Sequence, residues 1–175
     1  MSWFNRRIAL SRSLKAVAAL GLSISLAGCF TPLYGSMNGH LSSELQAIAI
    51  DPAPELLGHY VVDELITDLN GTGSSPAPKY RLALTTKERV QSALIDTVTR
   101  RASAATVVTD INYVLTPAGG GKPITQGTVT SAATYNRSEQ RFANIRAARD
   151  AEIRNAKVIA DQITIRLSTA LATRS

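Results

Sequence analysis

Cysteine, histidine and aromatic residues are scarce in this sequence. One cysteine and two histidines occur in 175 residues, and aromatic side chains make up 5% of the chain. A single cysteine rules out an internal disulfide framework, so stability has to come from packing. His40 and His59 have no metal-ligand partner at useful spacing. His59 and Asp63 are four apart on a helical stretch. With no cysteine or distinctive serine nearby as nucleophile, a surface pair is the simpler reading than a base and its orienter. The run Gly119-Gly120-Gly121-Lys122 is followed by Pro123 and a strand-like segment. A phosphate loop needs Ser or Thr and a helix there, so the run reads as a hairpin turn. No catalytic constellation remains, and the expectation is a non-enzyme with no cofactor and no metal.

Acidic residues are also absent from the first 28 positions. Arg6, Arg7, Arg12 and Lys15 precede an uncharged run from Ala16 to Ala27, which ends in Leu26-Ala27-Gly28-Cys29. A basic segment, a short apolar core and small residues before a cut make an export signal. The core falls short of the ~20 residues that a membrane-spanning helix needs. Arg6-Arg7 is followed by Ile8-Ala9-Leu10-Ser11, a poor match to a twin-arginine signal. Leucine, two small residues and cysteine form the pattern read by lipoprotein-processing enzymes. Cys29 is therefore expected to be the lipid attachment site, and residues 1–28 a signal peptide. Phe30 stands where an aspartate would retain the protein in the inner membrane, which favours a lipid-anchored outer-membrane protein, its domain facing the periplasm or lying inside a barrel lumen.

Loss of that segment changes the electrostatics. Of nineteen basic residues four leave with the signal, and none of the thirteen acidic ones, so fifteen face thirteen and +6 falls to +2. The high pI belongs largely to the discarded segment. Nucleic-acid binding, which needs a basic face, loses its support.

Residues 29–43 contain Pro32, Gly35 and Gly39 and read as a lipidated tether, and residues 44–175 as a single domain. Alternation over Leu45–Ile50 predicts a strand, and apolar spacing over Gly58–Asn70 a helix. Three further strands are predicted, from Tyr80 toward Ile95, over Arg100–Thr116 with Val107, Thr109, Ile111, Tyr113 and Leu115 on one face, and over Ile124–Tyr135. A long helix follows over Ser138–Thr173, with Phe142, Ile145, Ile153, Ala156, Ala160, Ile163, Leu167 and Leu171 on one face and Arg149 interrupting them. The order β-α-β-β-β-α predicts an α+β two-layer sandwich: a four-stranded, mainly antiparallel sheet with two helices on one face.

Basic residues stand in notable places. Arg100 and Arg101 are adjacent at the predicted start of the third strand. Arg137, Arg141, Arg146, Arg149, Arg154 and Lys157 enrich the first half of the last helix. Two readings fit: a solvated face among acidic neighbours, or a site for phosphorylated or carboxylated lipid headgroups.

Cys29-Phe30-Thr31-Pro32-Leu33-Tyr34-Gly35 resembles the Cys-Gly-Phe-x-Pro-Leu-Tyr-Gly opening of the alphaproteobacterial LptE family, less one glycine. Tyr135-Asn136, Phe142-Ala143, Ala148, Asp150-Ala151, Ala156, Ala160 and Ile163 resemble that family's last strand and final helix. The first helix departs from it with Gly58-His59-Tyr60. The resemblance implies a lipoprotein partner of the LptD barrel that plugs and supports it and binds lipopolysaccharide (LPS) during assembly at the cell surface. It also implies Arg100, Arg101 and Arg146 as the LPS-binding candidates. The competing expectation is an auxiliary lipoprotein of an ABC-type phospholipid transport system.

Overall fold

Three helices and four strands form over residues 39–71, 73, 76–95 and 102–174, which are the residues described by this computed structural model. In chain order they are α1 (Gly39–Gln46), β1 (Ile48–Ile50), α2 (Leu56–Asn70), β2 (Tyr80–Ile95), β3 (Ala102–Pro117), β4 (Thr125–Asn136) and α3 (Arg141–Ala172). The fold belongs to one compact unit, His40–Ser175.

The sheet order is β1-β2-β3-β4. Short connections make β2, β3 and β4 an antiparallel meander. Strand β1 instead lies parallel to β2, with Ile48 opposite Tyr80 and Ile50 opposite Leu82. Helix α2 returns the chain between them, as parallel neighbours require. The α+β two-layer layout is the expected one, but the sheet is mixed rather than mainly antiparallel.

The largest difference lies at the start. Leu45–Ile50 was expected as a strand, yet α1 runs to Gln46 and only Ile48–Ile50 is extended. Leu41 and Leu45, one helical turn apart, are both buried, which an exposed tether could not offer. Glu44 adds a second tie, its carboxylate accepting from Lys79 Nζ and Tyr80 Oη at 2.5 Å each. The folded unit thus starts ahead of residue 44. Helix α2 also starts earlier than expected, at Leu56. Its approach to the preceding turn depends on Gly58, where a Cβ would lie 2.5 Å from that of Ala53.

Strand β3 buries Val107, Thr109, Ile111, Tyr113 and Leu115 on one face, as its alternation predicts. Onto that face α2 lays Val61, Leu65 and Leu69, and α3 lays Ile159, Ile163 and Leu167. A smaller cluster of Val107, Ala133 and Ala151 continues the core toward the start of α3. The other sheet face carries no helix among the described residues. Its side chains pair with one another: Arg81 with Asp51 at 2.6 Å, Arg89 with Asp110, Thr130 donating to Asp110 at 2.7 Å, and Thr128 to Asn112 at 2.6 Å.

Helix α3 is 32 residues long, about 48 Å at 1.5 Å per residue. Its buried positions run 151, 155, 159, 163, 167, 171 and 156, 160, 164, 168. Steps of four advance about 40° past a full turn each, so the buried stripe winds around the helix. The expected straight stripe fails at its first three members. Phe142, Ile145 and Ile153 are 84%, 56% and 41% exposed. Ile153 lies two residues from both Ala151 and Asn155, about 160° around the helix from each.

Asn155 sets this rotation. It is 1% exposed, accepts from Ser131 Oγ at 2.9 Å, and donates from Nδ2 to the Val107 carbonyl at 2.9 Å and Thr109 Oγ1 at 3.3 Å. One side chain thereby joins α3 to both β3 and β4. Asn155→Leu keeps the branched outline of the side chain but strands the buried Thr109 hydroxyl and its neighbours, which is expected to cost about 2–3 kcal/mol. Urea unfolding checks this, and an unchanged midpoint would mean that packing alone holds the helix.

Candidate functional site

The first half of α3 presents a mixed surface. Phe142, Ile145, Arg146, Arg149 and Ile153 fall within about 100° of one another around the axis. Ala151, buried against Val107 and Ala133, lies about 180° from the middle of that stripe. The inward face of this stretch is built from small residues, with Ala147 and Ala148 half-buried. It can lie on the sheet only in the rotation that points the large side chains outward.

The arginines of the region sort by what they touch. Arg154 pairs with Asp150 at 3.0 Å and donates to the Thr134 carbonyl at 3.2 Å, so it is engaged in structure. Arg149 places its guanidinium 5.6 Å from the centroid of the Tyr60 ring, a cation–π contact that ties α3 to α2. Arg146 is exposed and makes no ion pair among the described residues. It is flanked by Phe142, Ile145, Arg149 and Ile153 around one open hollow. Arginine beside exposed aromatic and aliphatic surface suits a ligand that has both an anionic group and hydrocarbon.

Of the residues singled out in the sequence, the structure places Arg146 on this surface, beside Phe142, Ile145, Arg149 and Ile153. Cys29, Arg100 and Arg101 lie outside the described residues. The apolar half of the surface is hidden in the sequence, because the spacing of Phe142, Ile145 and Ile153 groups them with the core residues of the helix. The available signal was the eight-residue gap from Ile145 to Ile153, too wide for a continuous buried stripe.

Among the described residues no group of three His, Cys, Asp or Glu side chains is placed to hold a metal ion. No described helix is long and apolar enough to cross a membrane. Gly119–Gly121 turn the β3–β4 hairpin, with Gly120 and Gly121 at φ 82° and 127°, values that favour glycine.

A second feature borders the stripe. Helix α3 covers β3 and β4 but leaves Glu88, Val90 and Ser92 of β2 exposed. Partial desolvation pushes the carboxyl of the exposed Glu88 above its ordinary range, and the nearby Glu152 and Glu55 carboxylates push it further. Burial also raises Glu152, against the pull of Arg149.

No protein-family model matches the sequence, and no curated protein matches it. Among solved structures, the fold superposes on a protein assigned as a lipoprotein from Caulobacter crescentus CB15 with a TM-score of 0.63 and 23% identity, covering 76% of this chain and 96% of that one. It also superposes on a minor lipoprotein from Acinetobacter baumannii with a TM-score of 0.53 and 17% identity, covering 70% and 91%. At these identities the likeness is one of fold, and the fold is one that bacterial lipoproteins use.

The raised carboxyls give a pH dependence of definite sign. A carboxyl whose folded pKa exceeds its unfolded value binds protons more readily in the folded state, so stability falls as pH rises through that interval. Glu88→Gln with Glu152→Gln is expected to raise Tm at neutral pH and to leave it unchanged well below the ordinary value of 4.5. Thermal melts across that range check it; a Tm gain that is the same at every pH would assign the effect to something other than ionisation.

Proposed function

We propose that this chain is the lipid-anchored outer-membrane subunit of an LPS translocon, binding LPS and supporting an LptD-type barrel. The observation that carries the reading is the exposed stripe of α3, where Arg146 and Arg149 alternate with Phe142, Ile145 and Ile153. Two further points support it: the resemblance of Cys29–Gly35 to the LptE opening, and a fold shared with bacterial lipoproteins.

LPS combines anionic phosphates with packed acyl chains, and aggregates in water because those chains avoid it. A planar guanidinium meets phosphate with two parallel hydrogen bonds, each charge-assisted. Arg146 supplies that fork with no internal partner to give up. Acyl chains laid across Phe142, Ile145 and Ile153 replace water over surface that is already apolar. Arg100 and Arg101, between the ends of β2 and β3 in sequence, are the second basic pair in this reading. No bond is made or broken; the role is to hold single lipid molecules away from their aggregate.

The uncovered sheet face supports the barrel half of the proposal. Threonines 106, 128, 130 and 134, with Asn112, Asp110 and Arg89, make it polar and rich in hydrogen bonds. The Asp110 carboxyl is held below its ordinary range by the Thr130 hydroxyl and the Arg89 guanidinium, so the face keeps its charge pattern in mildly acidic surroundings. A polar face of this kind matches the polar interior of an outer-membrane barrel.

The test has two arms. Arg146→Asp with Arg149→Asp is expected to weaken LPS retention by roughly tenfold or more while the circular dichroism spectrum stays the same, a loss in line with about 1.5–3 kcal/mol for a hydrogen bond to a charged group. Affinity capture of the lipidated full chain is expected to bring down a large outer-membrane barrel. Unchanged LPS retention would return these arginines to a solvated face. Capture of an inner-membrane transporter instead would favour the phospholipid-transport reading.

A further inference from the structure

We propose that the open edge of β2, from Lys87 to Ser92, accepts an extended segment of a partner polypeptide carrying lysine or arginine at alternate positions. This surface is distinct from the outward stripe of α3 and stands whether or not that stripe binds lipid.

The edge is open for a structural reason. Strand β1 pairs with β2 only from Tyr80 to Leu82, whereas β2 continues against β3 to Ile95 in an unbroken register. The Leu82 carbonyl points to the β1 side, where the Asp51 N–H donates to it at 2.9 Å. Side chains and backbone groups alternate with a period of two. Glu88, Val90 and Ser92 therefore turn their N–H and C=O groups to that same side. No strand pairs with them there among the described residues, and every side chain from Lys87 to Ser92 is exposed, Val90 at 55%.

The opposite edge shows what protection looks like in this protein. On β4, Arg166 donates to the Thr128 carbonyl at 2.9 Å and Arg154 to the Thr134 carbonyl at 3.2 Å. Folded proteins commonly cover an edge strand so that it cannot pair with another chain. Here one edge is covered by two arginines, and the other presents its ladder.

Charge selects the occupant. Adding a strand fixes a partner through its backbone and sends alternate side chains to each face of the sheet. On the helix side those side chains meet Glu88 and Val90, with Glu152 of α3 and Glu55 ahead of α2 within electrostatic reach of Glu88. The neighbouring cation, Arg149, is turned over the Tyr60 ring. Three carboxylates around one notch favour lysine or arginine on the incoming strand. A second copy of β2 would bring the same carboxylates against each other, and is disfavoured for that reason.

The experiment is a calorimetric titration of the full chain, in detergent, with the capped peptide Thr-Lys-Thr-Val-Thr-Lys-Thr. Binding is expected, and the same peptide with glutamate in place of lysine is expected not to bind. Val90→Pro removes an outward N–H and leaves the β3 ladder intact; it is expected to weaken binding at least tenfold with Tm preserved. Glu88→Lys, which leaves the backbone untouched, is expected to do the same and serves alone if the proline variant does not fold. No binding of the lysine peptide, equal binding of both peptides, or binding indifferent to these substitutions would overturn the proposal. So would concentration-dependent dimers that Val90→Pro dissolves, which would make a second copy the occupant.

Discussion

Asn155 is the contact on which the rest of the arrangement depends. A helix that packs through alanines has little in its own shape to fix its rotation, and the early part of α3 offers the sheet Ala147, Ala148 and Ala151. A buried amide with three hydrogen bonds supplies what the alanines lack, because a shift of one residue would leave it and the buried Thr109 hydroxyl without their partners. Once that rotation is set, Ile153, Arg149, Arg146, Ile145 and Phe142 must point away from the sheet. The apolar surface they expose is a consequence of a polar contact on the opposite side of the same helix.

The remaining surfaces follow from unequal lengths. Strand β1 has three residues beside the sixteen of β2, so the far half of β2 has no neighbour on that side. Helix α3 lies across β3 and β4, so it leaves the inner face of that same half uncovered too. The protein thus offers three distinct faces: an amphiphilic helix stripe, a polar sheet face and an acidic notch along an open strand. Each has a chemistry of its own, and none requires a catalytic group.

Strong local periodicity made most of the sheet legible in the sequence. Val107, Thr109, Ile111, Tyr113 and Leu115 alternate cleanly because β3 is the central strand with one buried face, and the bounds of β2 and β4 follow from the turns beside them. Two elements differ from their sequence pattern for physical reasons. At Leu45–Ile50 a few alternating residues straddle the end of α1 and all of β1, a window too short to separate a period of two from one of 3.6. In α3 the burial stripe winds, so a straight template assigned exposed residues to the core. Arg146 was legible as one of several arginines, but its lack of an internal partner was not, since pairing depends on which neighbours the fold brings close. The parallel placement of β1 was equally hidden, being a property of the α2 crossover and not of three residues.

The rotation of α3 makes its outward stripe the proposed place of lipid binding. Single cysteines at positions 145, 149, 151 and 153, introduced as Ile145→Cys, Arg149→Cys, Ala151→Cys and Ile153→Cys on a Cys29→Ser background, measure it directly. Thiols at 145, 149 and 153 are expected to react rapidly with a polar maleimide, the thiol at 151 is not, and added LPS is expected to protect the first three. Rapid labelling at all three that LPS leaves unchanged would contradict it, since the stripe would then be exposed without being the place where lipid is held.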